Sequence, residues 1–233
     1  MNKTGSVLLA LFLPSLTLAD GGSVFIRLKR ATAAGGGGGP EYTDTFTEAA
    51  NAALQDHTEG GFGWTDRDTS TTGMTISGTN DNLYVSLGSA ELGFYSGYTP
   101  SDADYCVEAD FTIASSAQTT NGLALRMATG AATQYFVRFA GGAGAWELYK
   151  SVAGTETGIG TNYVGDVPTT TKTVRLCASG TSLTVYVAGV SRITATDSDI
   201  SAAGRPGFYN YFGDNGSDRT ADNFKVYETV AAP

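Results

Sequence analysis

From Thr43 onward the chain is cut into short apolar-patterned runs by clusters of Gly, Asn, Asp, Ser and Thr, and this punctuation limits the folds open to it more than any other feature. A helix needs an apolar stripe sustained over about ten residues or more, whereas runs of this length with alternating polarity read as strands. The pattern predicts strands at Thr43–Thr47, Met74–Ser77, Asn82–Leu87, Tyr105–Ile113, Leu123–Ala128 and Gln134–Phe139. Six more follow at Ala145–Lys150, Thr173–Ala178, Ser182–Val187, Ser191–Ala195, Gly207–Phe212 and Asn223–Glu228. Only Thr47–Gln55 has the character of a short helix. Many short strands in a chain of 233 residues point to one all-β domain, an antiparallel β-sandwich or jelly roll around a single core.

The N-terminal part of this plan is different. Residues 1–34 form an apolar segment, residues 35–41 a hinge built on the glycine run Gly35–Gly39, and residues 42–233 the folded domain. The apolar segment has two readings. Lys3, the stretch Val7–Leu13 and the small-residue end Thr17-Leu18-Ala19 suit a secretory signal peptide cut before Asp20. Ser15–Ala19 and Ser23–Lys29 around Asp20-Gly21-Gly22 equally suit a hairpin kept as an apolar arm that docks on another subunit or on a copy of the same chain; of the two, the arm is preferred. No lysine follows the glycines in the manner of a phosphate loop. A net charge of −9 argues against nucleic acid as a partner, since phosphate binding needs clustered cations.

Across residues 42 to 228 the succession of motifs resembles the concanavalin A-like lectin/glucanase (laminin G-like) superfamily. The resemblance rests on Asp44-Thr-Phe46, Tyr105-Cys-Val-Glu-Ala-Asp-Phe111, Gly122-Leu-Ala-Leu-Arg126, Tyr135-Phe-Val-Arg138 and Trp146-Glu-Leu-Tyr-Lys150. It continues through Val174-Arg-Leu-Cys-Ala-Ser-Gly180, Leu183-Thr-Val-Tyr-Val187, Gly204-Arg-Pro-Gly-Phe208 and Asp222-Asn-Phe-Lys-Val226. It implies a jelly roll one of whose outer sheet faces holds saccharide, and it leaves function open.

Alternation splits each strand into two faces. Val107, Ala109, Phe111 and Ile113 form one apolar set and Val174, Leu176 and Ala178 another, which leaves Cys106, Glu108, Cys177 and Arg175 outside the core. If the two strands are antiparallel neighbours with Cys106 opposite Cys177, Glu108 falls opposite Arg175. The cysteines are one disulfide or two thiols; pentraxins, in the resembled superfamily, carry a disulfide between similar strands. The same bookkeeping puts Arg126, Phe136, Arg138, Glu147 and Tyr149 on an outer face. Together with Glu108 and Arg175 they make a candidate carbohydrate site of rings, guanidinium groups and carboxylates on adjacent strands, or else a plain sheet face laced by cross-strand charge pairs.

Glycosidases of the laminarinase type carry a Glu-x-Asp-x-(x)-Glu strand. Here Glu108 and Asp110 match, but Thr112 or Ile113 stands where the last Glu should be, so the proton donor to the leaving group is missing. The single histidine, His57, has no serine elbow near it and reads as a surface residue. Asp214, Asn215 and Asp218 gather oxygen ligands of the kind calcium prefers, or form an ordinary turn. The expectation is a non-enzymatic structural or adhesion protein with a lectin-like domain. It is best matched to a bacteriophage decoration, fibre or tail component on the virion surface that binds cell-surface polysaccharide, with no membrane span. A secreted bacterial carbohydrate-binding protein is the alternative, followed by a divergent glycosidase.

Overall fold

The computed structural model describes residues 39–68, 73–85, 92–113, 120–141, 143–165, 171–211 and 216–233. Residues 1–38 lie outside them, and with them the arm and signal-peptide readings. Among the described residues the chain forms β1 (Tyr42–Asp44), β2 (Ala52–Ala53), β3 (Thr58–Glu59), β4 (Phe62–Asp66), β5 (Met74–Ser77) and β6 (Asn82–Val85). Next come β7 (Leu92–Ser96), β8 (Tyr105–Ile113), β9 (Thr120–Met127), β10 (Gln134–Ala140), β11 (Ala145–Val152) and β12 (Thr155–Gly158). The last are β13 (Tyr163–Val164), β14 (Lys172–Ser179), β15 (Ser182–Val187), β16 (Val190–Thr196), β17 (Arg205–Tyr211) and β18 (Gly216–Tyr227).

These strands build two antiparallel sheets packed as a sandwich. The first runs in the order β16-β15-β14-β8-β18-β6-β5-β2, with β1 beside β18; the second runs β12-β11-β10-β9-β17-β7-β4-β3, with β13 beside β11. Between them lies one core. Val107, Ala109 and Phe111 of β8 and Val174, Leu176 and Ala178 of β14, the sets picked out by alternation, pack with Leu123, Val137, Phe139, Trp146 and Leu148 from the opposite sheet. Each such side chain larger than alanine contributes about 1.5–3 kcal/mol when removed from water. At one end Phe46, Trp64, Phe208 and Phe224 interlock, with ring centroids 5.0–5.9 Å apart.

Two strands central to this end, β4 and β7, are absent from the sequence expectation. They pair with each other through Trp64↔Ser96 and Asp66↔Phe94, yet Gly63 and Gly93 interrupt their alternation and remove the β-branched signal that marks a strand. The short helix expected over Thr47–Gln55 is also corrected. The Asp44 carboxylate accepts the Phe46 N–H at 2.9 Å while Phe46 turns the chain with φ 51°. Ala52 and Ala53 then extend to pair with Ile76 and Thr75, leaving a single 3-10 turn at Leu54–Asp56.

One irregularity redirects a functional candidate. Where β9 meets β17 the register shifts, and Arg126 adopts φ 53°. Gly204 lies against this bulge with φ 56°, and a Cβ there would sit 2.4 Å from the Arg126 carbonyl carbon. A bulge inserts one residue and turns the strand's side chains, so Leu125 faces the core and Met127 the outer face.

Candidate functional site

The seven residues expected to share one face occupy three separate places, and this corrects the expectation of a single cluster. Glu108 and Arg175 belong to β8 and β14 of the first sheet, whereas Phe136, Arg138, Glu147 and Tyr149 belong to β10 and β11 of the second. The sheets put these groups on opposite sides of the sandwich. Arg126 belongs to neither outer face.

On the first sheet the register sets Cys177 opposite Cys106 and Arg175 opposite Glu108, and the two cysteines form a disulfide with an S–S distance of 2.03 Å. Glu108 is saturated. Its Oε2 accepts from Arg175 Nε and Nη2 at 2.8 and 2.7 Å. Its Oε1 accepts from Lys225 Nζ at 3.3 Å and the Tyr227 hydroxyl at 3.0 Å. The Arg175 guanidinium lies 4.1 Å from the Tyr227 ring centroid and donates to the Ala231 carbonyl, so this network fastens the C-terminal residues over the sheet. Asp110 accepts from Thr173 Oγ1 at 2.5 Å and Asn223 Nδ2 at 3.1 Å. Glu108, with four donors on its two oxygens, has no acceptor position left to meet a substrate.

Arg126 is buried, at 3 % exposure, because the bulge sends it to the end of the sandwich. There it donates to the carbonyls of Ala103, Ile200 and Gly180 at 2.8–3.0 Å and reaches Asp104. It ties three connecting loops together, and alternation misplaced it because parity fails after a bulge.

The outer face of the second sheet carries the chemistry that a ligand would use. Register places Phe136 opposite Tyr149 and Arg138 opposite Glu147. Phe136 stacks on Tyr149 at 5.5 Å and packs against Tyr209 at 3.9 Å between centroids; with Ala124 and Met127 these rings form a second small apolar cluster. Phe136, at 0 % exposure, is its buried floor, which corrects its expected place as a contact residue. Above the floor the half-exposed Tyr149 ring lies 4.1 Å from the Arg138 guanidinium carbon. Arg138 bridges two carboxylates, Glu147 through Nε at 3.2 Å and Glu156 through Nη1 at 3.5 Å. Burial opposes its charge, but Tyr149, Glu147 and Glu156 outweigh that and raise its pKa. Asn162 donates to Glu147 at 3.1 Å, and the Tyr209 hydroxyl donates to Glu156.

Sequence reasoning missed Glu156, Asn162 and Arg67, because their strands or loops carry too few apolar residues to be seen as part of a sheet. Arg67 is held by both oxygens of Asp68 at 2.9 Å and donates to Gln134. It lies against β7 where Gly93 has no side chain, since a Cβ there would sit 2.7 Å from its guanidinium carbon. Among the described residues Gln134 Nε2 is buried with no acceptor.

His57, expected at the surface, is 2 % exposed. Its Nε2 faces Asp44 Oδ1 at 2.9 Å and its Nδ1 faces Glu48 Oε1 at 2.6 Å, with Glu59 at 3.8 Å. Burial lowers the imidazole pKa, yet hydrogen bonds and charge from Glu48 and Asp44 outweigh it and raise the pKa above 6.5. Ligand atoms of Asp44, His57 and Glu59 lie within 4.8 Å of one another, a spacing open to a metal. The donors around them fit a proton better. Asp44 already accepts from Tyr42, Trp64 and the Phe46 N–H as well as His57, and Glu59 accepts from the Thr45 amide and hydroxyl. Of the expected calcium ligands, Asp214 and Asn215 lie outside the described residues, as does the side chain of Asp218. Among the described residues no helix is long and apolar enough to cross a membrane.

No protein-family model matches the chain, and no curated protein sequence is significantly similar to it. Solved structures do match. The carbohydrate-binding module CBM66 from Bacillus subtilis is 17% identical with a TM-score of 0.53, over 70% of this chain and 94% of that one. A Bacillus licheniformis beta-glucanase is 13% identical with a TM-score of 0.54, over 81% and 96%. A Bacillus subtilis protein of unknown function with a galectin-like fold is 12% identical with a TM-score of 0.53, over 80% and 98%. At these identities the likeness concerns architecture alone, and the chain has the concanavalin A-like, galectin-like jelly-roll fold of these proteins.

Proposed function

We propose that this chain is a non-catalytic carbohydrate-binding protein whose site is the patch of Tyr149, Arg138, Glu147, Glu156 and Asn162 on the outer face of the second sheet. One observation carries the reading: a half-exposed ring beside a guanidinium that is itself flanked by two carboxylates. A ring of this kind stacks on the apolar face of a sugar, while the charged groups donate to and accept from hydroxyls in fixed directions. The fold it shares with a carbohydrate-binding module supports the reading, and the fold it shares with a beta-glucanase keeps hydrolysis in view.

The arrangement of acids favours binding over hydrolysis. Hydrolysis needs one carboxyl to protonate a leaving group and a second to act as base or nucleophile. Glu108 is saturated by three basic or hydroxyl partners, and Glu147 and Glu156 share one guanidinium, a way of holding charge in place. A glycan array followed by calorimetry tests binding, and a reducing-sugar assay on the bound glycans tests hydrolysis. Turnover lost in Glu147→Gln or Glu156→Gln would overturn the non-catalytic reading.

The Cys106–Cys177 disulfide supports an oxidising setting outside the cytosol, either secreted or displayed on a particle. Display on a virion rests on reading residues 1–34 as a docking arm. Mass spectrometry of the native N-terminus separates the two, because a chain that begins at Asp20 speaks for secretion.

A further inference from the structure

Resting on the carbohydrate-binding reading, we infer that the site selects neutral glycans and rejects uronate, sialylated and sulfated ones. The reason is that the guanidinium beside Tyr149, and that of Arg67 on the same face, are already neutralised, whereas Arg205, opposite Met127 at the start of β17, donates to the Gly97 carbonyl and to Thr99. Arg67 is paired with Asp68 through two bonds of 2.9 Å, and its side chain is 2% exposed. Arg138 is paired with both Glu147 and Glu156. Beside Tyr149 one guanidinium thus stands against two carboxylates, on a protein whose net charge is −9.

An acidic sugar would have to displace a carboxylate from Arg138 and then leave that carboxylate beside its own charge, which costs at every step. A hydroxyl faces no such conflict. It donates to Glu147 or Glu156 while accepting from Arg138 or Asn162, so one group satisfies both kinds of partner without breaking the existing pairs. The carboxylates therefore determine specificity: they hold the arginine in place over Tyr149 and withhold its charge from an anion.

The test is calorimetry of the full chain with neutral gluco- and xylo-oligosaccharides, and with oligogalacturonate and sulfated oligosaccharides of matched length. Neutral ligands should bind with affinity unchanged within about twofold between about 50 and about 500 mM NaCl, since screening acts on charge pairs. Acidic ligands should bind at least about tenfold more weakly. The double variant Glu147→Gln with Glu156→Gln should gain about tenfold or more for oligogalacturonate, because Arg138 is released to pair with it. Tighter binding of acidic ligands by the unmodified protein, weakening as salt rises, would overturn this inference and leave the carbohydrate reading standing. Binding of neither class would overturn the reading on which it rests. The salt series uses the unmodified chain, so it decides the matter even if the double variant does not fold.

Discussion

At His57 both imidazole nitrogens face carboxylates, so the buried ring is held as a cation between Asp44 and Glu48 with Glu59 close by. A folded-state pKa raised above 6.5 means stability that is fully present below about 6.5 and is lost as pH rises through the folded value. The unfolding midpoint of the protein should fall as pH climbs through that window, and His57→Gln should flatten the dependence; an equal slope in both proteins would contradict the assignment. Residues of the outer face divide just as sharply. Phe136→Ala opens a hole under Tyr149 and Tyr209 and should cost about 3–5 kcal/mol of folding stability. Tyr149→Ala, in chemical denaturation, should cost about 1 kcal/mol or less, as partly exposed sites do, whereas Arg138→Ala should cost more, because it strips the buried Glu147 of its cation. None of this was legible at His57 from sequence, because its partners lie nine and thirteen residues away and are brought to it by the turn at Phe46 and the 3-10 turn at Leu54–Asp56. Phe136 looked like a contact residue since alternation tells which side of the sheet a ring takes but not what packs on it there.

Strands β8 and β14 were readable because each has an unbroken apolar set on one side, Val107-Ala109-Phe111 and Val174-Leu176-Ala178, and a one-residue slip would expose both sets. The register that pairs Cys106 with Cys177 is therefore the register that pairs Glu108 with Arg175. The disulfide closes a sequence separation of 71 residues, which on the chain-entropy model contributes about 4 kcal/mol. Replacing both cysteines with Ser should lower the urea midpoint accordingly while leaving glycan affinity untouched, since the bond lies on the sheet opposite the proposed site; a loss of binding at full folding would contradict that placement. The glycine-bearing β4 and β7 were hidden by the same residues that let the chain pass closely there. At Gly122 a Cβ would fall 1.7 Å from the Val137 carbonyl oxygen, so β9 and β10 meet only because a side chain is missing. The bulge at Arg126 has no signature in the run Leu123-Ala-Leu-Arg-Met127, and it moved one candidate residue out of the site.

At the scale of the whole molecule, the sequence conveyed an antiparallel sandwich with one core but not which strand belongs to which sheet. Strands β8 and β10 both present Glu or Arg on an outer face, and only the crossover from β8 to β9 separates those faces onto opposite sides. That separation leaves one outer face as a closed network over Glu108 and the other as an open patch over Phe136. The proposed glycan site therefore lies on the second face alone. Its most direct test is calorimetry of a glycan identified by array against the unmodified protein, Tyr149→Ala, Arg138→Ala and, as a control on the opposite sheet, Thr184→Ala. Each of the two site variants should lose about 1–3 kcal/mol of binding, the size of a hydrogen-bonded or stacked contact removed, while the control binds as the unmodified protein does. Equal affinity in all four proteins would contradict the assignment of the site to the face of Tyr149 and Arg138.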